Sequence, residues 1–283
     1  MAGSRAIGRD VNFYIFSEPG KAIGGLRLNP SITEKNFLSM LSILIVASGR
    51  YRVTLRSTGV DLMPTENGLR PGDYDIRPYL ARSCIDTVSI TDEPCITRIL
   101  SRIITGRDDI FRARVRERDG KCVITGIVNT KAYRDVWTGF EAAHIFPLSS
   151  EEYFVQNGFS RWITNRMNPH DTGINSCQNG LLMQSNIHQS FDSFDFSIDP
   201  DNGYKIICFD EDPFRIDGRT LDPVCARDEL LRWHFRQAVF ANMRGVGEPT
   251  FEMDFPPGTD MVGEILKLSL RLNGVYIAQE SKS

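Results

Sequence analysis

The sequence predicts an α+β protein, in which a small N-terminal α/β unit and C-terminal helices flank a central region of short strands and helices. Residues 11–92 alternate between strand-like runs and one amphipathic helical run. Residues 118–209 carry strand-like runs separated by Asp-Gly and Asn-Gly turns. Residues 228–244 repeat apolar side chains at helical spacing. These patterns divide the chain into an N-terminal unit over residues 1–95, a central domain over 96–246 and a C-terminal extension over 247–283.

The N-terminal unit is expected to consist of strands around one helix. That helix, over residues 33–47, places Phe37, Leu41 and Leu44 on one face. The unit contains no constellation of catalytic residue types, so we expect a packing or docking module. Asp92-Glu93-Pro94 marks its end. The predicted strands cover residues 11–16, 22–28, 51–55 and the part of 68–76 that follows the Pro71-Gly72 turn.

The central domain begins with a predicted helix over residues 96–117, with Gly106 as a break. The Asp119-Gly120 turn precedes a strand over 122–125, and residues 137–145 give a second strand. A long loop and the Asn179-Gly180 turn lead to a helix over 181–192. The remaining predicted elements are a hairpin with strands 196–200 and 204–209, the amphipathic helix 228–244 and a short helix over 261–270.

Composition and charge narrow the class of protein. The 283 residues are 41% hydrophobic and 24% charged, as in a soluble globular protein, and no apolar run is long enough for a membrane span. The net charge of −3 disfavours nucleic-acid binding by bulk charge alone. No two of the six cysteines are within four residues of each other, which excludes a CxxC zinc knuckle. The first residues lack an apolar signal segment, so we expect an intracellular protein, cytoplasmic or nuclear, with reduced thiols.

Four residues carry the chemistry of the central domain. His144 ends an apolar, strand-like run and could remove a proton from water, although a core histidine is the alternative. His188 and Asp192 are four residues apart on one helix face and could bind a divalent ion, or could form a simple surface contact. Asn179 could orient the histidine strand by bonding backbone groups, and it also suits any tight turn before glycine.

Four short runs around these residues resemble the HNH nuclease family, in the branch common in fungal proteins. The runs are Cys122-Val123-Ile124-Thr125-Gly126, the Ala142–Pro147 run AAHIFP, NGLL at residues 179–182, and IHQSFD at residues 187–192. The resemblance spans about residues 118–243 and implies a ββα-metal core of two strands and one helix. It implies a metal-dependent endonuclease that hydrolyses phosphodiester bonds in nucleic acid. His144 would be the general base, and His188 and Asp192 would bind Mg, Mn, Ni or Zn.

One position departs from this pattern. Many HNH enzymes have an aspartate or histidine metal ligand directly before the base, and this chain has Ala143 there. Glu141, two residues earlier, is on the same strand face as Ala143 and is an accessory candidate. We predict no organic cofactor. A second hypothesis is an HNH scaffold used for another purpose, as a small-molecule enzyme or a binding module, with an apolar pocket lined by Phe154, Phe159 and Trp162.

Two basic clusters are candidates for phosphate contacts. Arg161 and Arg166 are near an aromatic residue in the long loop and are accessory site candidates. The arginines between residues 112 and 118 form the densest basic run, but acidic neighbours dilute it and predict a solvated helix surface. Either cluster could contact the phosphates of nucleic acid, and a solvated surface is the alternative for both. The sequence leaves the oligomeric state open.

Overall fold

The computed structural model describes residues 4–79, 87–96, 106–166, 170–221 and 226–249. Nearly all of the predicted C-terminal extension, with its helix over 261–270, falls outside these ranges. Within them, no helix combines the length and the apolar character that a membrane crossing needs. Cys95, Cys122, Cys177 and Cys208 are free thiols, as predicted for these four positions.

The N-terminal sheet has five strands in the order β2-β1-β6-β4-β5. Strands β1 and β6 are parallel, and the other neighbours are antiparallel. Phe37, Met40 and Leu41 of helix α1 are fully buried in the core beside this sheet. The elements are β1 (Val11–Ile15), β2 (Gly24–Leu26), α1 (Glu34–Leu44), β3 (Ile45–Ala47), β4 (Tyr51–Leu55), β5 (Val60–Asp61), β6 (Gly72–Pro78) and β7 (Val88–Ile90).

Helix α1 begins and ends for local reasons. Thr33 and Asn36 form a reciprocal capping box at its start, in which each side chain bonds the backbone N–H of the other. The helix was predicted to reach Ala47, but it ends at Leu44, about one turn earlier. Ile45–Ala47 instead pairs with Val88–Ile90 as a two-stranded sheet, which suits the β-branched side chains at positions 45 and 46.

The central region adds two pairs of antiparallel strands and several helices, so the described part of the chain is α+β. Strands β8 and β9 are antiparallel, and α4 follows β9 directly. Strands β10 and β11 form the predicted hairpin, with Gly203 in the left-handed conformation that its turn requires. The elements are α2 (Gly106–Asp119), β8 (Phe140–His144), α3 (Glu151–Gln156), β9 (Gly180–Gln184), α4 (Ser185–Asp192), β10 (Phe196–Asp199), β11 (Lys205–Cys208) and α5 (Asp228–Met243).

Two sequence predictions for this region were wrong in ways that affect the site. Helix α4 begins at Ser185 rather than Leu181, because residues 180–184 pair with β8 across the full length of both strands. Residues 122–125 form a tight turn instead of a strand: the Gly126 N–H donates to the Cys122 carbonyl. The partner of the histidine strand is therefore the strand that begins at Gly180.

Helix α5 contributes to two separate hydrophobic cores. Its first turns, with Leu230, Leu231 and Trp233, are buried with β8, β9 and α4. Its second half, with Val239 and Met243, is buried with the N-terminal sheet. Residues 4–249 accordingly form one compact unit, and the boundaries predicted at residues 95 and 246 stay predictions.

Candidate functional site

The β8–β9 hairpin has two faces with different neighbours. Side chains alternate along a strand, so Ala142 and His144 point to one face and Glu141 and Ala143 to the other. Ala142 packs with Phe111 of α2 on the first face. Ala143 is fully buried on the second face, in the core that also contains the α4 residues. We call these the α2 face and the α4 face.

Two neutral side chains contact His144 on the α2 face. The ring of Phe111 stacks on the imidazole, with 3.8 Å between ring centroids and 11° between planes. The Nε2 atom is 3.2 Å from Oδ1 of Asn175. The imidazole is half-buried, so the histidine is held in one orientation without being sealed in the core.

Gly180 makes the aromatic contact on this face sterically feasible. It is the cross-strand partner of His144. A Cβ at this position would lie 2.6 Å from the Phe111 ring and 2.7 Å from Val115, both closer than van der Waals contact permits. The glycine of the NGLL run therefore leaves the space in which α2 approaches the hairpin.

The buried side chain of Asn179 forms hydrogen bonds with the backbone just after His144. Its Oδ1 accepts from the Phe146 N–H at 2.8 Å, and its Nδ2 donates to the carbonyls of Phe146 at 3.0 Å and Ile174 at 2.8 Å. The side chain is completely buried, so all three bonds are shielded from water. Asn179 therefore ties the backbone after His144 to the loop that carries Asn175, and its orienting role in the site stays a prediction.

The end of α2 is clamped to β9 by Arg118 and Asp119. The Arg118 guanidinium bonds both oxygens of Asp119 and donates to the carbonyls of Cys177 and Gly180. Asp119, whose side chain is fully buried, also accepts from the Leu182 N–H at 2.8 Å. This arginine therefore has a structural role in positioning the strand.

Two other arginines of the basic run also have partners within the protein. Arg112 pairs with Asp109, and the Arg116 guanidinium lies over the ring of Trp137. Of the four arginines between residues 112 and 118, Arg114 is exposed and the other three are half-buried. The prediction of a solvated helix surface therefore describes Arg114 alone.

On the α4 face, three polar side chains contact one another in series. Nδ1 of His188 is 2.6 Å from Oε2 of Glu141, and Nε2 of His188 is 3.3 Å from Oδ2 of Asp192. The hydrogen bond with His188 is the main cause that lowers the pKa of Glu141 below its ordinary range, and a bond with Ser185 adds to it. The side chains of His188 and Asp192 are 17% and 18% exposed, so a small ion can approach them from solvent.

This arrangement fits a divalent ion with two protein ligands. Adjacent ligands at about 2.1 Å from an octahedral ion stand about 3 Å apart, which is close to the 3.3 Å between Nε2 of His188 and Oδ2 of Asp192. Glu141 would then hold the other ring nitrogen, as outer carboxylates commonly do for metal-binding histidines. In the described part of the chain, no group of three or more His, Cys, Asp and Glu side chains could hold a metal ion.

The remaining sequence candidates have local contacts. The Arg161 guanidinium lies 4.7 Å from the centre of the Trp162 ring, and Arg166 donates to the Ser160 carbonyl. Their role as phosphate contacts stays a prediction. His234 of α5 is a fully buried core histidine that stacks on Phe191.

Phe154, one of the residues expected to line the pocket of the second hypothesis, does not line a cavity. Phe154 is completely buried and packs edge-on against Phe146 with 5.0 Å between ring centroids. A residue that lines a water-sized cavity would retain some accessible surface. Phe159 packs against both of these rings, whereas Trp162 is 37% exposed at the surface.

Comparison with known proteins gives two matches to family models. Residues 122–199 match the model described as HNH endonuclease. This segment is HNH-like. Residues 8–80 match the model described as a domain of unknown function (DUF8573). No curated protein and no solved structure matches the chain.

The HNH-like segment includes almost every residue of the candidate site, and its match indicates a nuclease-like function. Two contributors were missed by the sequence reasoning. Asn175 lies inside the segment, in a loop without periodicity that would reveal it. Phe111 lies outside the segment, and its only signal was an apolar pair with Val115 at i,i+4 spacing in an otherwise charged helix.

Proposed function

We propose that this protein is a metal-dependent endonuclease that hydrolyses phosphodiester bonds in nucleic acid. The observation that carries the proposal is the set of contacts around His188, inside a segment that matches the HNH endonuclease model. One ring nitrogen is held by a carboxylate, and the other is at ligand spacing from a second carboxylate. We infer that β8, β9 and α4 form the ββα-metal motif of this family.

His188 and Asp192 would hold the ion, and Glu141 would orient His188. The hydrogen bond to Glu141 at Nδ1 favours the tautomer that has its proton on Nδ1 and its lone pair on Nε2, toward Asp192. When bound, Mg, Mn, Ni or Zn supplies positive charge that stabilises the charge developing on the phosphate. Ala143 points into the core on this face and has no ligand atom. The carboxylate that β8 brings to this site is that of Glu141.

His144 would act as the general base. An imidazole has a pKa in the range needed to accept a proton from water near neutral pH. The Phe111 stack and the Asn175 contact restrict the ring to one orientation, which lowers the entropic cost of placing the base beside the attacking water.

The two groups must act on the same phosphate for the reaction to proceed. His144 is three residues beyond Glu141, about 10 Å along a strand, and its side chain leaves the opposite face of the hairpin. The proposal therefore requires that the substrate reaches both faces at the end of β8. Energetic coupling between His144 and His188 is the quantity that decides whether this is so.

The direct test is cleavage of supercoiled plasmid, single-stranded DNA and RNA by the full chain. We expect cleavage that depends on one of the ions Mg²⁺, Mn²⁺, Ni²⁺ or Zn²⁺ and that ends on addition of a chelator. The variants His144→Ala and His188→Ala should each lower its rate by about 100-fold or more, and His170→Ala, at an exposed loop histidine, should cleave at the wild-type rate. Absence of cleavage by folded protein with every ion and substrate would overturn the proposal and favour the repurposed scaffold.

A further inference from the structure

Asn175, in the loop between α3 and β9, makes a polar contact with the His144 imidazole. The two atoms in contact are Oδ1 of Asn175 and Nε2 of His144, 3.2 Å apart. The asparagine is half-buried and lies 31 residues further along the chain than the histidine. A contact over that distance in sequence persists only if the loop itself is held in place.

The loop is held on both sides of Asn175. On one side, the Ile174 carbonyl accepts from the buried Asn179 side chain at 2.8 Å. On the other side, the Ser176 hydroxyl donates to Oδ1 of Asn165 and accepts from the Gln178 N–H at 2.9 Å. These bonds fix the backbone that presents the Asn175 amide to the imidazole.

The loop also packs closely against neighbouring chain just before this point. Gly173 has a φ of +84°, and a Cβ there would lie 2.8 Å from the side chain of Ile163. Both features require glycine at this position. The loop therefore approaches Ile163 as closely as its backbone allows, which restricts the position of Asn175 further.

We propose that Asn175 is a positioning residue for the general base His144, an inference that rests on the proposed nuclease function. Its carbonyl oxygen accepts a hydrogen bond from the Nε2–H of His144, so the neutral imidazole carries its lone pair on Nδ1. The base would then take the proton of the attacking water on Nδ1. Phe111 fixes the plane of the ring and Asn175 fixes its rotation within that plane.

A neutral amide has a consequence that a carboxylate would not have. A carboxylate partner would stabilise the imidazolium by charge, whereas an amide oxygen supplies a hydrogen bond without a net charge. Asn175 would thus select the tautomer and the ring orientation of His144 and would add no negative charge beside the imidazole.

The test is an NMR measurement on full-length protein labelled with ¹⁵N-histidine, together with steady-state kinetics. The chain has only four histidines, and His144→Ala assigns the relevant signal. We expect an Nε2–H proton signal for His144 that is protected from exchange with water. Asn175→Leu, which keeps the side-chain volume and removes the acceptor, should lose that protection and lower kcat about tenfold or more at unchanged KM.

Two further variants make the result specific. Asn175→Asp retains an oxygen acceptor and should restore the protected Nε2–H signal. Ser176→Ala loosens the same loop without removing the acceptor, so it should lower stability and keep the signal. A His144 proton found on Nδ1, or a protected Nε2–H that persists in Asn175→Leu, would overturn the proposal. Protection without any cleavage would leave the contact established and would overturn only the nuclease function on which its catalytic role rests.

Discussion

The two faces of the β8–β9 hairpin hold their histidines by different physical means. On the α2 face, His144 is held by an aromatic stack and an amide, both of which are neutral. On the α4 face, His188 lies between two carboxylates. The hairpin therefore lies between His144, which contacts a neutral ring and a neutral amide, and His188 of α4, which contacts two carboxylates.

This difference corresponds to the separate tasks that the proposed reaction requires. A general base must exchange a proton near neutral pH, and an aromatic and an amide neighbour add no charge that would hold its proton in place. A metal ligand benefits from nearby carboxylates, which attract the cation and fix the ring. The contrast predicts that perturbing each face changes a different measurable property.

The largest expected effect is on the rate when the α2 face loses its base. His144→Ala should lower the cleavage rate by about 10² to 10⁴-fold, the usual contribution of a general base. Binding of Mn²⁺, followed by calorimetry, should stay at the wild-type affinity because the ligands are on the other face. A parallel loss of Mn²⁺ affinity in His144→Ala would show that the faces are not separate in function.

The next effect is on metal binding through the α4 face. His188→Ala should abolish measurable Mn²⁺ binding, and Glu141→Gln should weaken it by about 10 to 100-fold, since outer hydrogen bonds to ligands have effects of that order. Calorimetric titration of the metal-free protein gives both values. Wild-type affinity in Glu141→Gln would argue that this carboxylate does not orient the histidine.

A steric change on the α2 face should act on stability first. Gly180→Ala forces the Phe111 ring and Val115 away from the strand, which we expect to cost about 1–3 kcal/mol of unfolding free energy, as overpacking typically does. Urea denaturation measures it. Gly20→Ala is the matched control, because a Cβ at Gly20 has no neighbour within 4 Å. Equal stability of the two variants would contradict the close approach of α2.

The smallest effect concerns the pH dependence of the α4 face. Mainly because of its hydrogen bond with His188, Glu141 has a pKa below its ordinary 4.5. An acid with a lowered pKa in the folded state stabilises the fold above its unfolded pKa, and this contribution disappears as the pH falls through the folded value. The difference in unfolding free energy between wild type and Glu141→Gln should therefore shrink below about pH 4.5. It should be small at every pH, because the Glu141 side chain is 51% exposed and solvent screens its charge. Urea denaturation of the metal-free proteins between pH 3 and 7 measures this difference. A difference that grows as the pH falls would contradict a lowered pKa for Glu141.

The sequence was most informative where a pattern is local. Alternation along the strand predicted that Glu141 and His144 face opposite sides, and the 3.6-residue period predicted that His188 and Asp192 share a helix face. Both relations hold in the structure. The predicted boundary between β9 and α4 was wrong because the apolar run from Leu181 to Met183 suits either element, and only pairing with β8 decides between them.

The contacts that orient His144 could not be predicted in this way. Phe111 and Asn175 reach the imidazole from positions 33 residues before and 31 residues after it. Neither has a periodicity or a motif that relates it to the histidine strand, and both depend on tertiary packing. The double role of α5 in two cores likewise follows from the docking of the N-terminal sheet, which the amphipathic pattern of one helix does not specify.

The measurement that tests the central claim most directly is a double-mutant cycle on the cleavage rate. It compares kcat/KM for the wild type, His144→Ala, His188→Ala and the double variant. If the two faces of the hairpin serve one reaction, the double variant should be no slower than the slower single variant, because groups that act as a unit are strongly non-additive. Losses that multiply in full would contradict the account and show that the two histidines act independently.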